Sequence, residues 1–410
     1  MVVIWLGFVC IRFWNNFQTE GNLRQFAGNT VRLEGRISSE PILQGGSQRF
    51  RIGRVWVRVS QYPSYGYGQS VYVSGTLQRK VLNRWHSQFS LMYPDVKRVK
   101  ADRVKIMGSS GKELLMRLRR QIEMVYNRNL PEPEASLLAG VVLGAKRDLP
   151  YEFWRALQRT GTLHIVVASG YNVTVVIGTM ITYLAGWVKR RTAVMLGILG
   201  VIGYTIMAGA EPAIVRAAIM GSLAYFGQVL GRKADGLRLL TAAGMVMLAV
   251  KPLLIFDVGW QLSIGATAGL LLVSPLLEGV FRRVWLVGKD MTETVSAQIA
   301  VWPILLISFG SLSIGAVVVN SLILWLVPVI MGLGAILGLG GMIWPSGGQM
   351  IGWLVYGPLT MMVRVIEWFG VQEWMSWQAE GVSWWWGLGY YLVLGVLLAK
   401  FYRHGRERFR

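Results

Sequence analysis

His164, Ser169 and Asn172 stand within nine residues of one another at the head of a long apolar run. Polar side chains at membrane depth are costly unless they face water or protein, so they mark either a polar path or a hydrogen-bonded helix contact. Gly170, beside Ser169, permits a bend or a close helix approach. A broken helix at that depth is tolerated only where protein or a cavity surrounds it. Serine with histidine also has the makings of a nucleophile and base, but no acidic partner sits in a recognisable motif near them. The remaining histidines, His86 and His404, are scattered and Cys10 is the only cysteine. Neither a metal centre nor an internal disulfide is therefore expected.

Arg216 falls inside an apolar stretch and needs water or a partner. Asp257 and Gln261 are four residues apart, so a helix through them presents both on one face. Arg216 then either pairs with Asp257 across helices or faces phosphate groups. Glu211, next to Pro212, is expected at a helix end.

A second set of residues lies earlier. Tyr62, Tyr65, Tyr67 and Trp85 are interleaved with Arg49, Arg51, Arg54, Arg58, Arg79, Lys80 and Arg84. Rings alternating with cations suit single-stranded nucleic acid, because bases stack on rings while phosphates meet cations. Each stacked base contributes about 1–3 kcal/mol. Lipid headgroups are the competing anion for such a surface. Trp56 and Tyr72, in the same region, are expected to fill its core.

The elements that must hold these groups follow from composition. Hydrophobic residues make up 53% of the 410-residue chain and charged residues 15%, with 18 Trp and 49 Gly, which is a membrane profile. The net charge of +21 attracts polyanions, whether anionic lipid or nucleic acid. Residues 1–17 read as an uncleaved membrane anchor. Residues 29–107 carry short alternating strands separated by Gly and Pro turns, as in a small β-barrel of the oligonucleotide/oligosaccharide-binding (OB) type. Residues 110–160 read as amphipathic, interfacial helices.

From 161 to 400 the pattern predicts a membrane α-helical bundle of about ten spans, some broken or re-entrant. They fall near 161–187, 192–209, 213–230, 236–251, 253–276, 291–309, 312–330, 331–344, 349–370 and 382–400. Basic clusters at 189–191, 232–233 and 282–283 and a basic tail at 401–410 prefer the cytoplasm. Their spacing agrees with alternating spans and an extracytoplasmic barrel if one late segment does not cross. Trp374, Trp377 and Trp384 to Trp386 fit an interfacial belt. No phosphate-binding Gly-x-x-x-x-Gly-Lys-Ser/Thr loop is present, so any ATP-driven pulling belongs to a partner.

Several blocks resemble the ComEC family of competence proteins. They are Leu137 to Pro150, Phe153 to His164, Val167 to Gly170, Glu211 to Met220, Gly231 to Asp235 and Phe256 to Ser263, in the family's order. The resemblance extends over roughly 29–340. It implies an inner-membrane channel that imports single-stranded DNA during natural transformation, with a DNA-contacting barrel, a helical pore, no cofactor and no reaction of its own. On that reading His164, Ser169, Gly170, Asn172, Arg216, Asp257 and Gln261 border the polar path. The implied partners are single-stranded DNA, the lipid bilayer, a DNA receptor, a cytoplasmic ATP-driven translocase and a separate nuclease. The nuclease is separate because the His-x-His-x-Asp-His set of the family's metallo-β-lactamase-like domain is not found. Many members also carry histidine where this chain has Asn172. Two other classes remain open: an intramembrane hydrolase using His164 and Ser169, and a small-molecule or lipid transporter on the same scaffold.

Overall fold

The computed structural model describes residues 5, 7, 9, 10, 12, 13, 23–39, 41–44, 46–81, 87–98, 109–145, 149–166, 169–281, 288–379 and 381–407. Arg84, Trp85 and most of the expected anchor at 1–17 lie outside the described residues.

The first part of the chain forms a curved sheet. Its strands are β1 (Thr30–Arg36), β2 (Ile42–Gln44), β3 (Ser47–Ile52), β4 (Val55–Ser60), β5 (Ser70–Val81), β6 (Ser87–Met92) and β7 (Asp95–Arg98). The order is β1-β5-β6-β4-β3-β2, with β7 also on β5 and with β4 and β6 parallel. The expected closed barrel is not formed by a continuous ladder. Among the described residues the end of β1 meets β3 through the Ile37–Ile52 bridge, with Ser38 donating to Arg51 O and Arg51 N–H donating to Ser39 Oγ.

Alternation along β4 sends Val55, Val57 and Val59 into a core with Phe50, Val71, Val73, Leu77, Phe89 and Leu91. Trp56 and Tyr72 fall on the opposite parity and are only half-buried. The expectation that they fill the core is therefore corrected, because successive strand side chains point to opposite faces. Tyr65 packs on Phe50 instead, 5.5 Å between ring centres.

Helices follow: α1 (Ser109–Asn129), α2 (Glu134–Leu143), α3 (Tyr151–Arg159), α4 (Leu163–Val166), α5 (Gly170–Ala185), α6 (Arg190–Met207), α7 (Pro212–Val229), α8 (Gly236–Val250), α9 (Val258–Leu272), α10 (Ser274–Phe281), α11 (Gly288–Phe309), α12 (Ala316–Ile323), α13 (Leu326–Ile343), α14 (Pro345–Gly370) and α15 (Trp384–Glu407). Short strands β8 (Ser311–Ser313) and β9 (Ser376–Gln378) pair between them. Among the described residues five helices, α6, α11, α13, α14 and α15, are long and apolar enough to cross a membrane. Another four, α2, α5, α8 and α9, are apolar but shorter.

Of the expected spans, about ten with some broken or re-entrant, five appear as helices of full length among the described residues. The stretch 253–276 splits into a 3₁₀ turn at Pro252–Phe256 and α9. The stretch 312–344 becomes β8, the eight-residue α12 and the long α13.

The centre of the helical region is the ten-residue α2. Leu137, Leu138, Ala139 and Val141 on it are completely buried against α1, α3, α4, α13 and α14. Gly140 allows this close approach, since a Cβ there would lie 2.5 Å from the Val166 carbonyl oxygen. Ile122, Tyr126, Leu118 and Val125 of α1 likewise pack into this core, while Leu114 and Met124 stay exposed. Tyr126 is fully buried and donates to Gly334 O at 2.9 Å. A second core, with Val173, Ile177, Val201, Tyr204 and Ile214, joins α5, α6 and α7.

Candidate nucleic-acid interface and polar cluster

The β3–β4 ladder sets the first site. Its register places Arg49 directly opposite Arg58 and Arg51 directly opposite Trp56, all on the outer face. The Arg49 guanidinium lies 4.4 Å from the Trp56 ring centre and that of Arg51 lies 5.9 Å away. Such cation–ring contacts hold both groups in place while leaving ring edges and N–H groups free for a ligand. Partial burial, followed by the Arg58 charge, holds the Arg49 guanidinium below its ordinary pKa. Arg58 donates to Ser47 Oγ at 2.8 Å and sits 6.0 Å from the Tyr93 ring centre. The Nε of Arg51 is buried without a hydrogen-bond partner among the described residues.

The other expected contacts spread around this ladder. Arg54 is exposed at the β3–β4 turn, and Arg79 and Lys80 are exposed on β5. Tyr62 is exposed on a loop fixed by buried Gln48, which accepts from Tyr65 N and donates to the Ser60 and Pro63 carbonyls. Lys112 of α1 covers Tyr67 at 4.5 Å, so that ring seats the sheet on the helices.

A cavity of about 640 Å³ opens where the sheet meets the helices. Arg51 and Trp56 line it from the sheet; Arg119 and Glu123 of α1, Glu132, and Glu211 at the start of α7 line it from the other side. Arg119 Nε lies 3.0 Å from Glu123 Oε1, with both side chains largely buried, and Arg119 Nη1 donates to Met207 O at 2.7 Å. The expected position of Glu211 at a helix end agrees with the structure. Reading single motifs missed Arg119 and Glu123, although their i, i+4 spacing on a helix signals an ion pair.

The expected polar-path residues only partly converge. α4 ends at Val166, and Ser169 caps α5, accepting from Asn172 N at 3.4 Å. Its hydroxyl also donates to Asn172 Oδ1 at 3.1 Å. Asn172 is buried and donates to Val141 O at 2.9 Å, which ties α5 to α2. Gly170 lies against Arg216, and Arg216 Nη1 donates to Ser263 O at 2.6 Å. Ser263, absent from the expected set, is thus the residue that Arg216 meets.

The expected Arg216–Asp257 pair is not formed. Asp257 caps α9 through Trp260 N at 2.9 Å, the ordinary use of aspartate at a helix start. Gln261 donates from its side chain to Ile255 O at 2.8 Å and from its backbone to Asp257 O, one turn back. His164 stands apart and is exposed. Its Nδ1 is 2.9 Å from Gly161 O, and because a carbonyl only accepts, that nitrogen carries the proton. Among the described residues no three of His, Cys, Asp and Glu come together as metal ligands.

The architecture is thus that of a helical membrane-type region, several of its polar groups hydrogen-bonded between helices, with a basic, ring-bearing sheet attached. The chain belongs to the competence protein family, which it matches over residues 141–404, more than half its length. That match starts after the sheet and runs past 340, whereas the motif resemblance was placed over 29–340. The chain is similar to ComE operon protein 3 of Bacillus subtilis (strain 168), with 26% identity over 209 residues, covering 51% of this chain and 26% of that protein. It is also similar to an uncharacterized protein of Aquifex aeolicus (strain VF5), with 30% identity over 136 residues, 33% of this chain and 32% of the other. The matches therefore cover a third or less of the relatives' own lengths. No solved structure matches the chain.

Proposed function

We propose that this protein is a conduit for single-stranded DNA in the bacterial cytoplasmic membrane, acting in natural transformation. Membership of the competence family and the similarity to ComE operon protein 3 support the uptake role. The observation that carries the strand-handling role is the β3–β4 face. Arg49 and Arg58 stand directly opposite each other, and like charges so placed are destabilising. A bound polyanion relieves that repulsion, while Trp56 offers a ring to a base with the Arg51 charge beside it. The strand order, the parallel β4–β6 pair and the Ile37–Ile52 bridge favour an OB-like barrel with narrow closure.

In this reading the sheet lies outside and passes the strand to the junction cavity, where Trp56 and Arg51 face the helices. The glutamates of the far wall repel phosphate, so backbone contacts belong to the sheet side and to Arg119. Asn172 and Arg216 are sealed by neighbouring helices, and onward passage requires α5 and α7 to part. In this reading the packed arrangement of α5 and α7 is the conduit's closed state. A receptor that delivers DNA, a cytoplasmic ATP-driven translocase and a nuclease activity act together with it. The Ser169 hydroxyl is occupied as a helix cap, which gives no support to a hydrolase.

The test is deletion of the gene in its own host, followed by measurement of labelled DNA entering the cytoplasm. Uptake is expected to be lost and to return with the wild-type gene. Unimpaired uptake rejects the proposal.

A further inference from the structure

The crossing of α5, α7 and α9 gathers groups of one sign. The side chain of Arg216 is only 9% exposed, and its Nε has no hydrogen-bond partner among the described residues. The hydroxyl of Ser263, 8% exposed, has none either. Nη2 of Arg216 is aimed at the first residue of α5: a Cβ added to Gly170 would lie 2.7 Å from it. The start of a helix carries roughly half a positive charge and N–H groups without intrahelical partners. A buried guanidinium therefore faces a positive helix end. The one acidic residue expected to balance it, Asp257, is committed to capping α9.

A cation meeting a helix start without a carboxylate, bonded to the backbone of a serine whose hydroxyl has no partner, offers the recognition chemistry of an oxyanion. We infer that the crossing of α5, α7 and α9 binds a single phosphate-type oxyanion between Arg216, Ser263 and the amino end of α5. Where that phosphate is a phosphodiester of the translocating strand, the inference rests on the conduit reading. Phospholipid and free phosphate offer the same chemistry. The geometry also accounts for glycine at 170, since any larger residue intrudes on the guanidinium.

The test uses the full chain purified in a sugar-based, phosphate-free detergent and reads its unfolding temperature. The probes are inorganic phosphate, phosphatidylglycerol in mixed micelles, a single-stranded oligodeoxynucleotide and its analogue with an uncharged backbone. At least one phosphate-bearing probe is expected to raise the unfolding temperature saturably. The apparent affinity is expected to fall by roughly tenfold or more in Arg216→Gln, with partial retention in Arg216→Lys. If Arg216→Gln does not fold, Ser263→Ala, which removes only the hydroxyl, is expected to weaken the same response.

A response to the charged strand but not to its uncharged analogue assigns the phosphate to DNA. A response to phosphatidylglycerol alone assigns it to lipid, and one to inorganic phosphate alone to the free ion. Responses identical in wild type, Arg216→Gln and Ser263→Ala, or absent with every probe, overturn the inference. The two proposals fail separately. An Arg216-dependent phosphate response in a protein that binds no strand removes the conduit and leaves this site. Strand binding indifferent to Arg216 and Ser263, with no phosphate response, does the reverse.

Discussion

The sheet and the helical region use arginine in opposite ways. On the sheet, Arg49, Arg51 and Arg58 line an outer face, steadied by rings and partly in contact with solvent. Among the helices, Arg119 and Arg216 are buried and tied to backbone carbonyls of other elements. An exposed cation is free to exchange water for a ligand, whereas a buried one must be matched or it destabilises the fold. The sheet is therefore a surface for recruiting an anion. The helical region holds one cation already matched in its packing, Arg119 beside Glu123, and one, Arg216, that meets only a backbone carbonyl.

The largest test of that contrast is Arg119→Ala against Arg49→Ala. The first removes a guanidinium from beside a mostly buried carboxylate and is expected to lower stability by about 3–5 kcal/mol. The second, at a half-buried surface position, is expected to change stability by about 1 kcal/mol or less. Thermal unfolding of the two variants in detergent measures both. Equal losses would erase the distinction between the regions.

Next in size is Trp56→Ala. Its ring lies outside the sheet core, so folding should be little affected, while single-strand affinity is expected to weaken by about 1–3 kcal/mol. A titration with labelled oligodeoxynucleotide checks this, and unchanged affinity would remove Trp56 from the interface. A smaller effect belongs to the helices. Tyr126→Phe deletes the hydrogen bond to Gly334 O and is expected to cost about 1 kcal/mol of stability. Strand affinity should stay at the wild-type level, since Tyr126 is wholly buried.

How much of this was legible in the sequence depends on the range of the interaction. The interruption at Ser169-Gly170 is a local matter, readable from a capping residue followed by glycine, and the structure starts α5 there. The cap at Asp257 obeys an equally local rule, but pairing it with a distant arginine overrode that rule. Strand alternation in Val55-Trp56-Val57-Arg58-Val59 already placed Trp56 on the outer face. The expectation that large rings fill small cores hid it. The centrality of α2 could not be read, because a ten-residue, mostly apolar segment says nothing about which neighbours surround it. The junction cavity was also invisible, since its walls come from residues 39–61, 119–145 and 208–211. Arg216 was found as an anomaly in an apolar stretch, but its meeting with Ser263 depends on how α7 and α9 cross.

The smallest expected effect is the most discriminating, because two measurements should move in opposite directions. Arg58→Gln keeps a donor for Ser47 Oγ while removing the charge directly opposite Arg49. If the sheet tolerates that repulsion for the sake of an anionic strand, the variant should be more stable by about 0.2–1 kcal/mol. Its single-strand binding should weaken, and the slope of log affinity against log salt should fall by about 0.7, one phosphate contact's worth. A purely structural role for Arg58, through Ser47 and Tyr93, predicts lower stability and an unchanged salt slope. Unfolding and salt titration on the same preparation therefore separate a face shaped for binding from one shaped only by folding.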